Sequence, residues 1–214
     1  MDQTVNKIGF WAGIIAFGSS VAFVLVQTLQ LLRLLSYPYD EILIYGFSLA
    51  IVIPFLFEML ALYHATPIAK KIWSHAALIF TVIYVVFVTA NYVVQLATVI
   101  PMTLEGAEDE IKILSQTPHS MFWNYDAIGY ICMGLATLFA VPVFGKTGIQ
   151  KWVRISFLAH ALVTPLIAFV YFYPTFSEKL LLLVLPWGIT APLAMLLLAI
   201  MFKKGISPNT EFTR

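Results

Sequence analysis

Apolar residues run in six long, almost unbroken blocks, and polar and helix-breaking residues gather between them. The blocks cover Ile8–Leu32, Glu41–Ala65, Trp73–Ile100, Ser120–Phe144, Val153–Tyr173 and Lys179–Phe202. A helix crossing a bilayer needs about 20 mainly apolar residues, and each block supplies them. Strands of a membrane barrel would alternate over about ten residues instead. The pattern therefore predicts an all-α integral membrane protein, a bundle of six transmembrane helices. Tyr37-Pro38, Thr66-Pro67, Pro101, Pro118, Gly145, Gly148 and Pro174 fall between the blocks and mark the turns. The whole chain, 1–214, reads as a single six-helix domain, and 101–119 is the longest connection. Within it, Glu105–Leu114 has the makings of a short amphipathic helix, although a solvated acidic loop fits the same residues. The first block is longer than the roughly 7–15-residue core of a signal peptide and no Ala-x-Ala site follows it, so it is expected to stay as an uncleaved first span.

Charge gives the bundle a direction. Lys7, Lys70, Lys71, Lys146, Lys151, Arg154, Lys203, Lys204 and Arg214 lie on one side of the six blocks. Only Arg33, Lys112 and Lys179 lie on the other, among Asp40, Glu41, Glu105, Glu108, Asp109, Glu110 and Glu178. Basic residues favour the cytoplasmic side. With an even number of spans, both termini are expected in the cytoplasm of a cell-membrane protein, and the acidic connection 101–119 outside.

Composition changes the picture only by exclusion. Charged residues are 11% of the chain and hydrophobic ones 61%, against roughly 25% charged in soluble domains. A net charge of +1 gives no field to attract nucleic acid. The single cysteine, Cys132, rules out an internal disulfide. No phosphate loop, haem motif or dinucleotide fingerprint is present, and no cofactor is expected. His64, His75 and His119 join no pair at helical metal spacing, so no metal site is expected either. The expected partners are the lipid bilayer, a small-molecule or lipid ligand, and, for some of the lipid-facing surface, a second copy in a homo-oligomer.

Candidate chemistry lies in the polar residues inside the blocks, where each is costly. Asn91 and Gln95, four apart, share a helix face that Tyr84 and Thr98 extend. Asp126, Tyr130 and Thr137 share another, and Trp123, Asn124 and Tyr125 precede them. Ser20, Gln27 and Gln30 form a third stripe. By helical rise, Gln27, Asn91, Gln95 and Asp126 reach a common depth of roughly 7–14 Å below the acidic end. Two readings compete. In one, these residues with Asn124, Tyr84, Tyr130 and Trp123 line an outward-facing ligand pocket. In the other, they only hydrogen-bond the helices together, at about 0.6 kcal/mol per contact.

Toward the basic end, Glu58 and His160 each lie roughly 10 Å from the block boundary. They form a candidate acid–base pair for an intramembrane enzyme on a lipid or isoprenoid substrate, or a structural pair; Glu58 is also within reach of Arg154. Pro186 and Pro192 imply a bent or partly unwound sixth helix, and Gly9-x-x-x-Gly13 permits close helix approach. The blocks around Lys70-Lys71-Ile72-Trp73 and Lys151-Trp152 faintly echo each other as a parallel repeat. Binding, transport or sensing through the outer pocket, the lipid enzyme, and an assembly role without ligand all fit this pattern. We expect the first.

Overall fold

In a computed structural model that describes residues 2–208, the chain is all-helical among the described residues. Six helices are long and apolar enough to cross a membrane. Their α-helical cores are α1 (Gln3–Leu31), α2 (Tyr39–Ala65), α3 (Lys71–Val94), α4 (Met121–Ala140), α5 (Gly148–Phe172) and α6 (Trp187–Lys203), the third, fourth and sixth being extended by 3-10 or π turns to Ile68–Leu104, Met121–Val143 and Glu178–Lys203. Each packs against its neighbours in the chain, and α6 returns to pack on α1. The helices thus form a closed up-and-down ring. Eight of the nine basic residues described above mark one rim, the basic end; Arg214 lies outside the described residues. The seven acidic residues mark the opposite rim, the acidic end.

Local chemistry sets the helix ends. Asp2 accepts from Thr4 N at 2.9 Å and caps α1. Ser120 accepts from Trp123 N at 3.1 Å and caps α4; such caps satisfy amides that the first turn leaves bare. Asp40 and Glu41 occupy the first turn of α2, where the helix dipole favours anions. Helix α3 runs on through a π turn at Gln95–Val99 into Ile100–Leu104. Pro101 accounts for that turn: its ring collides with the carbonyl four residues back, and the wider turn relieves the collision.

Several block boundaries shift, and two of the shifts bear on the site. The sixth block is not one helix. Glu178–Val184 is a 3-10 segment, and α6 begins only after Pro186, whose ring leaves no N–H to bond back into the preceding turn. The change of helix type falls at the start of the block, and Pro192, where a bend was also expected, lies inside α6. Helix α5 begins at Gly148, five residues before Val153. In the long connection, 101–104 continue α3, and beyond them only Glu108–Ile111 is helical. Ile111 is buried, while Glu108, Asp109 and Glu110 face out.

Burial is inverted relative to a soluble domain. Trp11, Leu25, Leu162 and Ile189 are exposed, at 60–72%. Ser20, Ser48, Glu58, Thr81, Asn91, Asp126, Thr137 and His160 are buried inside the ring. Small residues close the ring where helices touch most tightly. A Cβ on Gly9 would stand 2.5 Å from the Phe202 ring, and one on Gly13 would collide with Glu58 and stand 2.8 Å from Ala199 Cβ. Gly18, further along α1, faces open space. Thermal unfolding in detergent should separate these sites. Gly9→Val should cost about 1–3 kcal/mol by overpacking the α1–α6 seam, whereas Gly18→Val should leave the midpoint nearly unchanged.

Candidate functional site

The acidic half of the ring is organised around Asp126 on α4. Its side chain is buried, and all its partners donate to it. Oδ1 accepts from Asn91 Nδ2 of α3 at 3.1 Å and from the Tyr92 hydroxyl at 2.8 Å. Oδ2 accepts a short hydrogen bond from the Tyr171 hydroxyl of α5. One carboxyl group therefore joins α3, α4 and α5. The web continues outward from it. The Tyr92 and Tyr130 hydroxyls lie 2.8 Å apart. Asn91 Nδ2 also donates to Gln116 Oε1 at 2.9 Å. Gln95 donates to Leu114 O at 2.8 Å and accepts from Gln116 N at 3.1 Å. The stretch Leu114–Gln116 of the long connection is thereby stitched into the ring, just where the Glu105–Leu114 segment, read as an amphipathic helix or a solvated loop, ends.

Beside this web lies a cavity of about 320 Å³, within the range of small-molecule pockets. Asp126, Tyr92, Tyr130, Tyr171, Trp123 and Gln116 form its polar and aromatic wall. Phe23, Val24, Ile44, Ile167 and Val184 supply apolar wall. Trp123 Nε1 donates to Tyr171 O at 3.3 Å, with the two rings 4.5 Å apart. Trp187 packs edge-on against Tyr130 and Phe23, at 5.2 and 5.5 Å. The mouth opens between the end of α1, at Gln27, Thr28 and Leu31, and the 3-10 segment, at Leu181 and Leu185; all five are exposed.

Of the residues singled out from the sequence, Asn91, Gln95 and Asp126 come together in one hydrogen-bonded web, with Tyr130 attached and Trp123 in the cavity wall. Gln27 reaches the same cavity from α1 but only at its rim. Asn124 is exposed and does not join. Tyr84 is buried against Phe55, ring centroids 5.8 Å apart, and lies outside the cavity wall. Ser20 and Thr137 donate to carbonyls of their own helices. Gln30 Nε2 donates to Asp40 instead, at 2.9 Å.

Tyr171 and Gln116 carry the web and were not singled out. Tyr171 sits at the end of its block, where a tyrosine reads as an interfacial anchor. Gln116 sits in a loop, and no periodicity reaches a loop residue. Tyr92 lies one position from Asn91, nominally a different helix face, and its long side chain curls back to Asp126.

The structure does not bring Glu58 and His160 together. The Glu58 carboxyl lies against Gly13 and Ala199, with neither oxygen hydrogen-bonded. His160 Nδ1 lies 3.1 Å from Thr190 Oγ1 and its ring faces Trp187. Thr190 and Ala199 are nine residues apart on α6, about 14 Å along its axis. The earlier start of α5 is the reason: it places His160 about 18 Å from the basic end rather than 10 Å. Arg154 donates to Phe144 O, not to Glu58. Among the described residues, no three His, Cys, Asp or Glu side chains converge on a common point. No protein-family model, curated protein or solved structure matches the chain.

Because Tyr92 and Tyr171 share one acceptor, their losses should be coupled. Each of Tyr92→Phe and Tyr171→Phe should lower unfolding stability in detergent by about 1–2 kcal/mol. The double variant should lose at least about 0.5 kcal/mol more than the sum. Strict additivity would mean that Asp126 does not hold the three helices as a unit.

Proposed function

We propose that this chain is a multi-pass membrane protein that binds a small amphipathic molecule in the cavity beside Asp126, as a carrier or a sensor of that molecule. The observation that carries the reading is a cavity of about 320 Å³ with one hydrogen-bonded carboxyl group set in an aromatic wall. A structural knot alone would have no reason to leave space beside it. Ligand pockets are mostly apolar with a few placed polar groups, and this wall has that make-up.

In the bilayer, the six helices span with the acidic end outward and both termini in the cytoplasm. The support is the gathering of Lys70, Lys71, Lys146, Lys151, Lys203 and Lys204 at one rim. The cavity then opens at the outer level of the membrane, partly toward lipid, because its mouth lies between the exposed apolar residues Leu31, Leu181 and Leu185. An apolar body can reach it from the bilayer while its polar group meets Asp126.

Two experiments test this reading. In a Cys132→Ala background, a membrane-impermeant maleimide applied to intact cells should label Asp109→Cys and leave Lys151→Cys unlabelled until the cells are opened. The reverse pattern would overturn the orientation. Decanol, a neutral amphipathic probe, should raise the unfolding temperature of the protein in lipid nanodiscs. Leu181→Trp at the mouth and Val24→Trp in the wall should each abolish that rise. Equal shifts in all three proteins would mean that the probe acts through the lipid and not through the cavity.

A further inference from the structure

The cavity wall has a definite charge character. Among the described residues that line it, Asp126 is the only one with a formal charge, and no Lys, Arg or His is present. An anion would meet a carboxyl group without a counter-charge. Asp126 is also incompletely used. A carboxylate offers about four acceptor sites, two on each oxygen. Oδ1 takes two donors, Asn91 and Tyr92, and Oδ2 takes one, Tyr171. One site on Oδ2 stays open to a further donor. Around it stand the rings of Tyr45, Tyr92, Trp123, Tyr130, Tyr171 and Trp187. Ring faces attract cations, most strongly when water is excluded. An open acceptor on the single acidic group, walled by aromatic rings, is the chemistry that recognises a protonated amine.

The shape of the α1–α6 seam extends this to the rest of the ligand. A second, wholly apolar groove runs along the outside of the ring between Phe17, Val21 and Leu25 of α1 and Ile189, Pro192 and Leu196 of α6. It shares Val24 and Gly188 with the cavity, so the two adjoin at these residues. From Gly188 to Leu196 it runs about 12 Å along α6. Gly188 packs close to Val24 at this boundary, where a Cβ would stand 3.4 Å from it. The α-helix of α6 begins only after Pro186, and a 3-10 segment precedes it at the acidic end.

Resting on the cavity reading above, we propose that the ligand is a cationic amphiphile. Its protonated amine hydrogen-bonds Asp126 Oδ2 within the aromatic wall, and its alkyl chain lies in the α1–α6 groove. The head group sets the affinity. The chain leaves one apolar surrounding for another, so the groove contributes by packing and by guiding access from the bilayer rather than by removing the chain from water.

Decylamine, decanol and decanoate share one chain and differ in charge. Titrated at neutral pH into the protein in lipid nanodiscs and read by the unfolding temperature, decylamine should bind about tenfold or more tightly than decanol. Decanoate should bind least. Asp126→Asn should remove the preference for the amine while keeping decanol binding. Leu193→Trp, which blocks the groove outside the cavity, should weaken decylamine by at least about threefold and leave butylamine unchanged. Equal binding of decylamine and decanol would overturn the amine assignment and leave the cavity reading standing. Binding of none of the three would overturn both. An unaffected decylamine response in Leu193→Trp would overturn the placement of the chain. Should Asp126→Asn fail to fold, the order of the three probes on the unaltered protein still decides, and a preference for decanoate overturns the proposal.

Discussion

A buried carboxyl group that must be satisfied by hydrogen bonds organises the acidic half of this molecule. Asp126 cannot sit unpaired in an apolar interior, because desolvating it without donors would cost several kcal/mol. Its three donors come from two other helices, Asn91 and Tyr92 on α3 and Tyr171 on α5. Meeting that requirement fixes the rotation of α3, α4 and α5 about their own axes. It also draws in Gln116, and with it the long connection whose backbone then satisfies Gln95. The π turn after Gln95 lets α3 continue past Pro101 to the rim. Helix rotation, loop placement and the position of the aromatic wall all follow from the need to satisfy one side chain.

The basic half follows another rule. There the helices close by contact between small residues, with Gly9 and Gly13 of α1 against Phe202, Ala199 and the Glu58 side chain. The same pair of helices, α1 and α6, packs tightly at the basic end, and α6 does not reach the acidic rim as an α-helix. The change falls at Pro186, where α6 gives way to a 3-10 segment. Tight packing below, a 3-10 segment above and a satisfied carboxyl at the level between them together border the cavity inside a ring of otherwise ordinary helices. Glu58 stands apart from this scheme. Among the described residues neither of its oxygens has a hydrogen-bond partner.

The six long helices could be read directly, because continuous apolar runs of 20 or more residues have few alternative structures. So could the polar cluster that matters most: Asn91 and Gln95 share a face at helical spacing, and rise per residue alone brought them level with Asp126. Both are measures along a helix axis, which is the coordinate that a sequence reports. Where helix starts were misjudged, depth went with them, as His160 shows. Rotation about the axis and the identity of neighbours were out of reach. Tyr171, Gln116 and the shared use of Val24 and Gly188 by cavity and groove are facts about which helix stands beside which. The Glu58–His160 pairing failed through that depth error, since the two residues sit at different levels of the ring.

What the sequence by itself determined is the number of apolar helices, the charge difference between their ends and the approximate level of each polar residue, because those depend on order along the chain and on helical rise. What only the tertiary structure decided is the closed ring, the three-helix hold on Asp126 and the cavity beside it. These depend on side chains meeting across helices far apart in sequence, at angles that no periodicity within one helix records.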